Sequence, residues 1–289
     1  MRGASSASFD PSSPSRSAAG LRDDLRRVLE GLGSAVIAYS GGVDSTLVVR
    51  AAADTPGLRF VALTTKSPTN TDEDVDEAVR LARAIGAEHV VVEVDELATP
   101  GYADNPANRC YLCKQTLYPE CESLAHERGL AVVADGVNRD DLGDYRPGLR
   151  AAAERGVRHP LVEAGMTKAD VRALSRFYGL DTAERPASPC LSSRFPYGTA
   201  ITREGLARVA AAEAALRGLG FVELRVRYLG ETARVEVAGA ELPRLSERSV
   251  REAARRGVLA AGFGDVVFSP VALRSGSLND ALGAAARLG

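Results

Sequence analysis

A chain of 289 residues, 45% of them hydrophobic, is long enough for one large domain or two modest ones with a sizeable core. Its formal net charge of −2 excludes a global positive field of the kind that gathers nucleic acid, and no apolar run is long enough to span a membrane. With no recognisable signal segment, the four cysteines suit the cytoplasm and a chemical role rather than structural disulfides.

In chain order, residues 1–20 are rich in Ser, Pro, Ala and Gly and read as a disordered tail. Residues 21–32 form an amphipathic helical pattern, 35–39 a short apolar strand and 44–53 a helix. A strand follows at 60–64, then a helix at 71–85 with Thr71 as its N-cap and acids in its first turn. A third strand is read at 90–94, a helix at 110–128, and a fourth strand at 131–134. Further helices are expected between 147 and 155 and over 167–178. Short Val-rich strands alternating with helices predict a parallel sheet covered on both faces, with ligands bound beyond the carboxyl ends of its strands. Past Arg185-Pro186-Ala187-Ser188-Pro189 the pattern changes. Helix 202–216, strands 222–227 and 232–237, helix 242–256 and strand 265–268 predict a smaller α+β domain sharing an antiparallel sheet. The expected division is therefore 21–185 and 186–289, with no internal repeat.

The most informative stretch is Ser40-Gly41-Gly42-Val43-Asp44-Ser45, between the first strand and a helix. Gly41 and Gly42 can offer bare amides to an anion, the helix start adds free N–H groups, and Ser40 and Ser45 add hydroxyls. Asp44 would repel phosphate and suits a bridging Mg²⁺. Neither G-x-x-x-x-G-K-[ST] nor G-x-G-x-x-G is present, which excludes a Walker loop and a dinucleotide fingerprint. Thr64, Thr65 and Ser67 end the second strand. Asp135, Asn138, Asp140 and Asp141 form a polar loop after the fourth, suited to a ribose, to Mg²⁺, or only to solvent.

Cys110 and Cys113, in Asn108-Arg109-Cys110-Tyr111-Leu112-Cys113-Lys114, share a helix face. The helix start, Arg109 and Lys114 would favour their thiolates. A metal or iron–sulfur site, a redox pair and two inert cysteines all remain open there. Cys190 lies in a Ser-rich, proline-flanked loop at the domain junction, beside Arg194, where a nucleophile or ligand would be accessible. Cys121, mid-helix, reads as packing. Arg225 and Arg227 alternate on one strand face and suit a phosphate or carboxylate, or solvent. His89, His126 and His159 share no spacing and receive no ligand role.

The loop S-G-G-V-D-S matches S-G-G-x-D-S, the PP-loop of the ATP pyrophosphatases. Together with N-R-C-Y-L-C-K and S-P-C-L-S-S-R-F-P-Y-G-T, the chain from about 21 to 268 resembles the LarE family, ATP-dependent sulfur transferases of nickel-pincer nucleotide synthesis. The last motif is the most specific; the first alone fits any PP-loop enzyme. The resemblance implies a PP-loop α/β domain in which ATP is bound by Ser40, Gly41, Gly42, Asp44, Ser45, Thr64 and Asp135, with Mg²⁺ on Asp44. The substrate would be pyridinium-3,5-biscarboxylic acid mononucleotide, its carboxylates adenylylated and then converted to thiocarboxylates. Arg225 and Arg227 would hold the substrate phosphate, with Arg194 and Glu213 at the same site. The family delivers sulfur in two ways. Cys190 either surrenders its own sulfur, or joins Cys110 and Cys113 in holding a 4Fe–4S cluster with one open iron. The presence of Cys110 and Cys113 besides Cys190 favours the cluster. A homo-oligomer, trimer or hexamer, is also implied. Competing readings are a PP-loop tRNA thiolase, which the net charge disfavours, an amide-forming relative, which needs no Cys190, and a non-catalytic nucleotide sensor.

Overall fold

The computed structural model describes residues 16–143, 147–274 and 276–281. Residues 1–15 of the expected tail lie outside them. Helix α1 (Ala18–Glu30) begins earlier than the expected 21, because the Ser17 hydroxyl accepts the Gly20 N–H as an N-cap. Arg16 belongs to the ordered chain as well, donating to the Ala164 and Gly165 carbonyls.

The first unit continues through β1 (Ser34–Ala38), α2 (Val43–Ala53), β2 (Arg59–Lys66), α3 (Asp72–Ile85), β3 (His89–Glu93), α4 (Arg109–Arg128) and β4 (Val132–Ala134). Its sheet is parallel, in the order β3-β2-β1-β4. Every residue of β1 is buried, as a central strand covered on both faces requires. Alternation sorts the side chains. Ala35 and Ile37 pack with Leu25, Leu29, Leu47 and Leu174 on one face, while Val36 and Ala38 pack with Tyr118, Cys121 and Leu124 on the other. Cys121 is thus a packing residue, and burial pushes its thiol up to about 12. Helices α5 (Pro147–Glu154), α6 (Pro160–Glu163) and α7 (Lys168–Phe177) complete the layers, α7 opening on a capping box between Thr167 and Asp170.

Strand order places a switch point between β1 and β4: the chain leaves β1 towards β2 and β3, and β4 returns on the other side. A crevice opens at the carboxyl ends of two such strands. Arg158 extends the sheet one step further, its N–H donating to Val133 and its carbonyl accepting from Asp135.

The second unit contains α8 (Arg203–Gly218), β5 (Leu224–Leu229), β6 (Thr232–Val237), α9 (Leu242–Ser246), α10 (Arg248–Ala260) and β7 (Asp265–Phe268). Two expectations are corrected here. The sheet is mixed, not antiparallel: β5 and β6 form a hairpin, but α9 and α10 carry the chain back so that β7 runs parallel to β6. The expected helix 242–256 is two helices, separated by Glu247 in extended conformation. The core of this unit, around Phe195, Val209, Leu216, Val226, Val235 and Val258, also takes in Tyr102 from the first unit.

Gly136, just past β4, lies flat against the start of α2. A Cβ there would stand 2.7 Å from the Ser45 nitrogen and 2.9 Å from its Cα, both immobile backbone. Gly136→Ala should therefore cost about 1–3 kcal/mol by overpacking and weaken ATP binding at the loop it displaces. Denaturant melts and nucleotide titration check this; an unchanged melt and affinity would contradict the packing.

Candidate nucleotide and sulfur-transfer site

The glycine loop leaves β1 at the switch point. Gly41 holds φ at 72°, a left-handed angle that favours glycine, and a Cβ there would press on Ala78 at 3.1 Å. Gly42 caps α2 without any side-chain bond, so the first N–H groups of the helix keep their capacity for an anion. The Ser45 hydroxyl sits inside the turn, accepting the Ser40 N–H at 3.2 Å and donating to the Gly42 carbonyl at 3.3 Å. Ser40 and Ser45 hydroxyls are themselves 3.2 Å apart.

Asp44 stands at the mouth of this turn. Asn138 donates to one carboxylate oxygen at 3.1 Å, and Lys168 pairs with the other at 2.5 Å. Lys168 is the first residue of α7 and was not singled out in the sequence. Its only signal there is its place beside the capping residue Thr167. With Lys168 the loop presents a cation as well as amides to a polyphosphate.

Two expected nucleotide contacts are otherwise engaged. Thr64 is buried one turn of pleat inside the sheet edge, its hydroxyl donating to the Tyr39 carbonyl at 2.7 Å and meeting His89 at 2.8 Å. Asp135 is 4% exposed. Its oxygens accept Tyr118 Oη at 2.9 Å, the Val137 N–H at 3.0 Å and His159 Nδ1 at 2.7 Å. Both side chains brace the strand ends, and each Asp135 oxygen is engaged by a protein partner.

The cysteine segments meet through a backbone clamp. Asn105 takes φ 55°, tolerable for an asparagine, and its side-chain amide donates to the carbonyls of Pro196 (2.7 Å) and Thr199 (3.0 Å). Its own carbonyl accepts the Gly198 N–H at 2.9 Å, and the Ile201 N–H reaches Ala103 at 2.8 Å. Arg109, next to Cys110, hydrogen-bonds the Asn105 side-chain oxygen. The Leu191 N–H, next to Cys190, donates to Thr69 at 2.8 Å, and Tyr102 Oη meets Ser192 at 2.8 Å. Cys110 and Cys190, on the two segments so joined, are both exposed.

Cys113 departs from expectation. Burial pushes its thiol up, and the charges of Cys190, Glu96 and Cys110 add to that; Lys114 opposes them without prevailing. Cys110 and Cys190 are thus both near enough to Cys113 to act on its charge. Glu96 borders it: 4% exposed, with Oε1 at 3.9 Å from Cys113 and Oε2 buried without a partner. Among the described residues no three His, Cys, Asp or Glu side chains stand close enough together to hold a metal ion. Thiols are the ligand type an iron–sulfur group takes, but in this structure the three are not gathered around one point.

Behind Cys190, Arg194 is 1% exposed and pairs in bidentate fashion with Glu213 at 2.8 and 2.9 Å. Its remaining nitrogen donates to the carbonyls of Pro189 (2.5 Å) and Cys190 (3.2 Å). Glu213 also accepts the Val226 N–H at 3.0 Å and pairs with Arg217. Arg194 and Glu213, expected to touch substrate, therefore position the Cys190 loop. Arg225 and Arg227 share the strand face beside them. Arg225 reaches Ala187 at 2.9 Å, and Arg227 reaches Glu236 and the Ser193 carbonyl, both at 2.9 Å. Burial, reinforced by the charges of Arg194 and Arg227, pushes Arg225 down to about 10. Glu213 and Glu236 already pair with Arg194 and Arg227, while Arg225 donates to backbone carbonyls.

A parallel sheet whose central strand empties at its switch point into S-G-G-x-D-S defines a PP-loop ATP pyrophosphatase domain. Accordingly, the NAD synthase family model matches residues 15–105. A pyridinium-3,5-bisthiocarboxylic acid mononucleotide synthase from Lactiplantibacillus plantarum is 39% identical over 261 residues, 90% of this chain and 91% of that protein. An uncharacterised protein of Synechocystis is 49% identical over 74% of this chain and 80% of its own length. A tRNA-specific 2-thiouridylase from Xanthobacter autotrophicus is 30% identical over 53% of this chain and 49% of its own. The chain belongs to the LarE family.

Deleting one side of the buried pair tests its positioning role. Glu213→Ala, which leaves Arg194 buried without a counter-charge, should cost about 3–5 kcal/mol. Burial opposes ionisation of Glu213, yet Arg194, the Val226 N–H and Arg217 hold its carboxyl below the ordinary range. A depressed carboxyl stabilises the fold above its unfolded value of about 4.3 and loses that contribution as pH falls through the folded value. Glu213→Gln should therefore flatten the acid limb of stability against pH in denaturant melts. An acid limb parallel to that of the unsubstituted chain would contradict the assignment.

Proposed function

We propose that this protein is an ATP-dependent sulfur transferase that converts the carboxylates of pyridinium-3,5-biscarboxylic acid mononucleotide to thiocarboxylates. What supports the reading is the union of two features in one fold: a glycine loop at the switch point and an Asn105 clamp that ties the Cys110–Cys113 segment to the Cys190 segment. A carboxylate is a poor electrophile, and adenylylation supplies a leaving group. A carboxylate oxygen of the substrate attacks the α-phosphorus, the bond to the β-phosphate breaks, and pyrophosphate leaves into the loop of Ser40, Gly41, Gly42 and Ser45. Lys168 neutralises Asp44, whose charge would otherwise repel that anion. Mg²⁺, if held by Asp44, would supply further charge there. A sulfur nucleophile then bonds to the acyl carbon and AMP departs with the electron pair, the reactants being held together. The cationic face of Arg225 and Arg227 suits the mononucleotide phosphate.

Cys110, Cys113 and Cys190 would hold a 4Fe–4S cluster, which when bound supplies an iron open to exchangeable sulfide. A second reading has its own observation: Cys190 is exposed while Cys113 is held as a thiol by burial. In that reading Cys190 bonds to the acyl carbon itself; loss of its Cα proton and cleavage of Cβ–S release the thiocarboxylate and leave dehydroalanine. The enzyme would work in the cytoplasm as a homo-oligomer, by family resemblance.

Anaerobic reconstitution separates the two sulfur sources. The cluster reading expects a brown protein with about four irons per chain. A colourless protein that loses the mass of hydrogen sulfide at Cys190 for each sulfur transferred would overturn it in favour of the second.

A further inference from the structure

His159 carries no role in the sequence reading, yet the fold delivers it to the nucleotide crevice. Arg158 joins the sheet beside β4, so His159 emerges at the carboxyl edge level with Asp135. The next residue after Asp135 is Gly136, whose backbone lies against the Ser45 nitrogen of the phosphate loop. Asp135 is fixed by Tyr118 and the Val137 N–H, and its remaining bond, 2.7 Å, is to His159 Nδ1. A carboxylate on Nδ1 holds a proton there and leaves Nε2 as the other ring nitrogen, a donor when the ring is protonated. The His159 side chain is 20% exposed, so a ligand can reach it.

We propose that His159, aimed by Asp135, is a further catalytic residue, an imidazolium donor to the α-phosphate of ATP during adenylylation. The proposal rests on the adenylylation reading above. The loop amides serve the departing β,γ-pyrophosphate, whereas negative charge also gathers on the oxygens of the phosphorus under attack. The edge of β4 beside Ser45 is the neighbouring source of a cation. The step balances without proton transfer: the carboxylate oxygen bonds to the α-phosphorus, the bond to the β-phosphate breaks, and pyrophosphate takes the electron pair. His159 keeps its proton and supplies a charge-assisted hydrogen bond.

The charged groups around the ring favour that state. Burial disfavours the imidazolium, but the hydrogen bond and charge of Asp135, with Glu163 of α6, outweigh it and raise the His159 pKa; Lys114 of α4 opposes them. Glu163 is itself paired with Arg158, so Asp135 is the principal partner.

The test is substrate-dependent exchange between ATP and labelled pyrophosphate, measured from about pH 6 to 9 around the ordinary histidine value. For the unsubstituted enzyme the exchange rate should fall as pH rises through a midpoint above about 6.5. His159→Gln should lower the maximal rate on the order of 100-fold, leave the KM for ATP within a few-fold, and abolish the alkaline fall. His159→Asn, with a thermal melt, guards against a folding defect. Equal rates, or a slow variant that keeps the alkaline fall, would overturn the proposal and leave adenylylation standing. No exchange by the unsubstituted enzyme would overturn the adenylylation reading and this proposal with it.

Discussion

The sulfur site depends on one asparagine held in a left-handed conformation. Asn105 turns the chain just before α4, and with its side chain and its carbonyl it secures the 195–199 segment from the other unit. A buried amide that meets three carbonyls and an arginine has nearly all its hydrogen-bonding capacity used. Losing any of those partners would leave polar groups buried and unpaired. The segment that carries Cys110 and Cys113 is therefore held near the Cys190 segment by a polar constraint. Their own positions in the chain, far apart and in different units, would not bring them together.

Charge is managed differently on the two sides of this clamp. Behind Cys190, Arg194 and Glu213 are withdrawn from water and satisfy one another, with Val226 and the Cys190 loop carbonyls completing their bonds. A pair so buried contributes little net stability compared with apolar residues, but it fixes geometry. At the nucleotide loop the pairing of Lys168 with Asp44 is part-exposed, with side chains 34% and 25% accessible, and so is open to exchange with a polyphosphate and its counter-ion. One pair locks the Cys190 loop, and the other stays accessible to solvent.

Much of this was legible in the residues. Alternation and turn chemistry located the strands of the parallel sheet, and S-G-G-V-D-S placed the phosphate loop at its centre, since glycine freedom and a helix start are local properties. What stayed hidden depends on burial and on long-range pairing. Cys113 looks activated by Lys114 and a helix start, but burial dominates its thiol. Thr64, Asp135 and Glu213 look like ligand contacts, but their oxygens are spent on protein partners. Lys168 and His159 gained meaning only when α7 and the Arg158 bridge brought them to the strand ends. The direction of β7 and the break at Glu247 likewise follow from how α9 and α10 cross the second sheet, which periodicity does not report.

The central claim is that activation at the phosphate loop and sulfur delivery at the Cys190 site, by either route, are separate steps of one reaction. Replacing Cys190 by alanine and following pyrophosphate and thiocarboxylate in the same mixture tests it most directly. The account predicts that substrate-dependent pyrophosphate release persists, with acyl-adenylate accumulating and no thiocarboxylate formed. Thiocarboxylate formed at an undiminished rate without the Cys190 sulfur would contradict it.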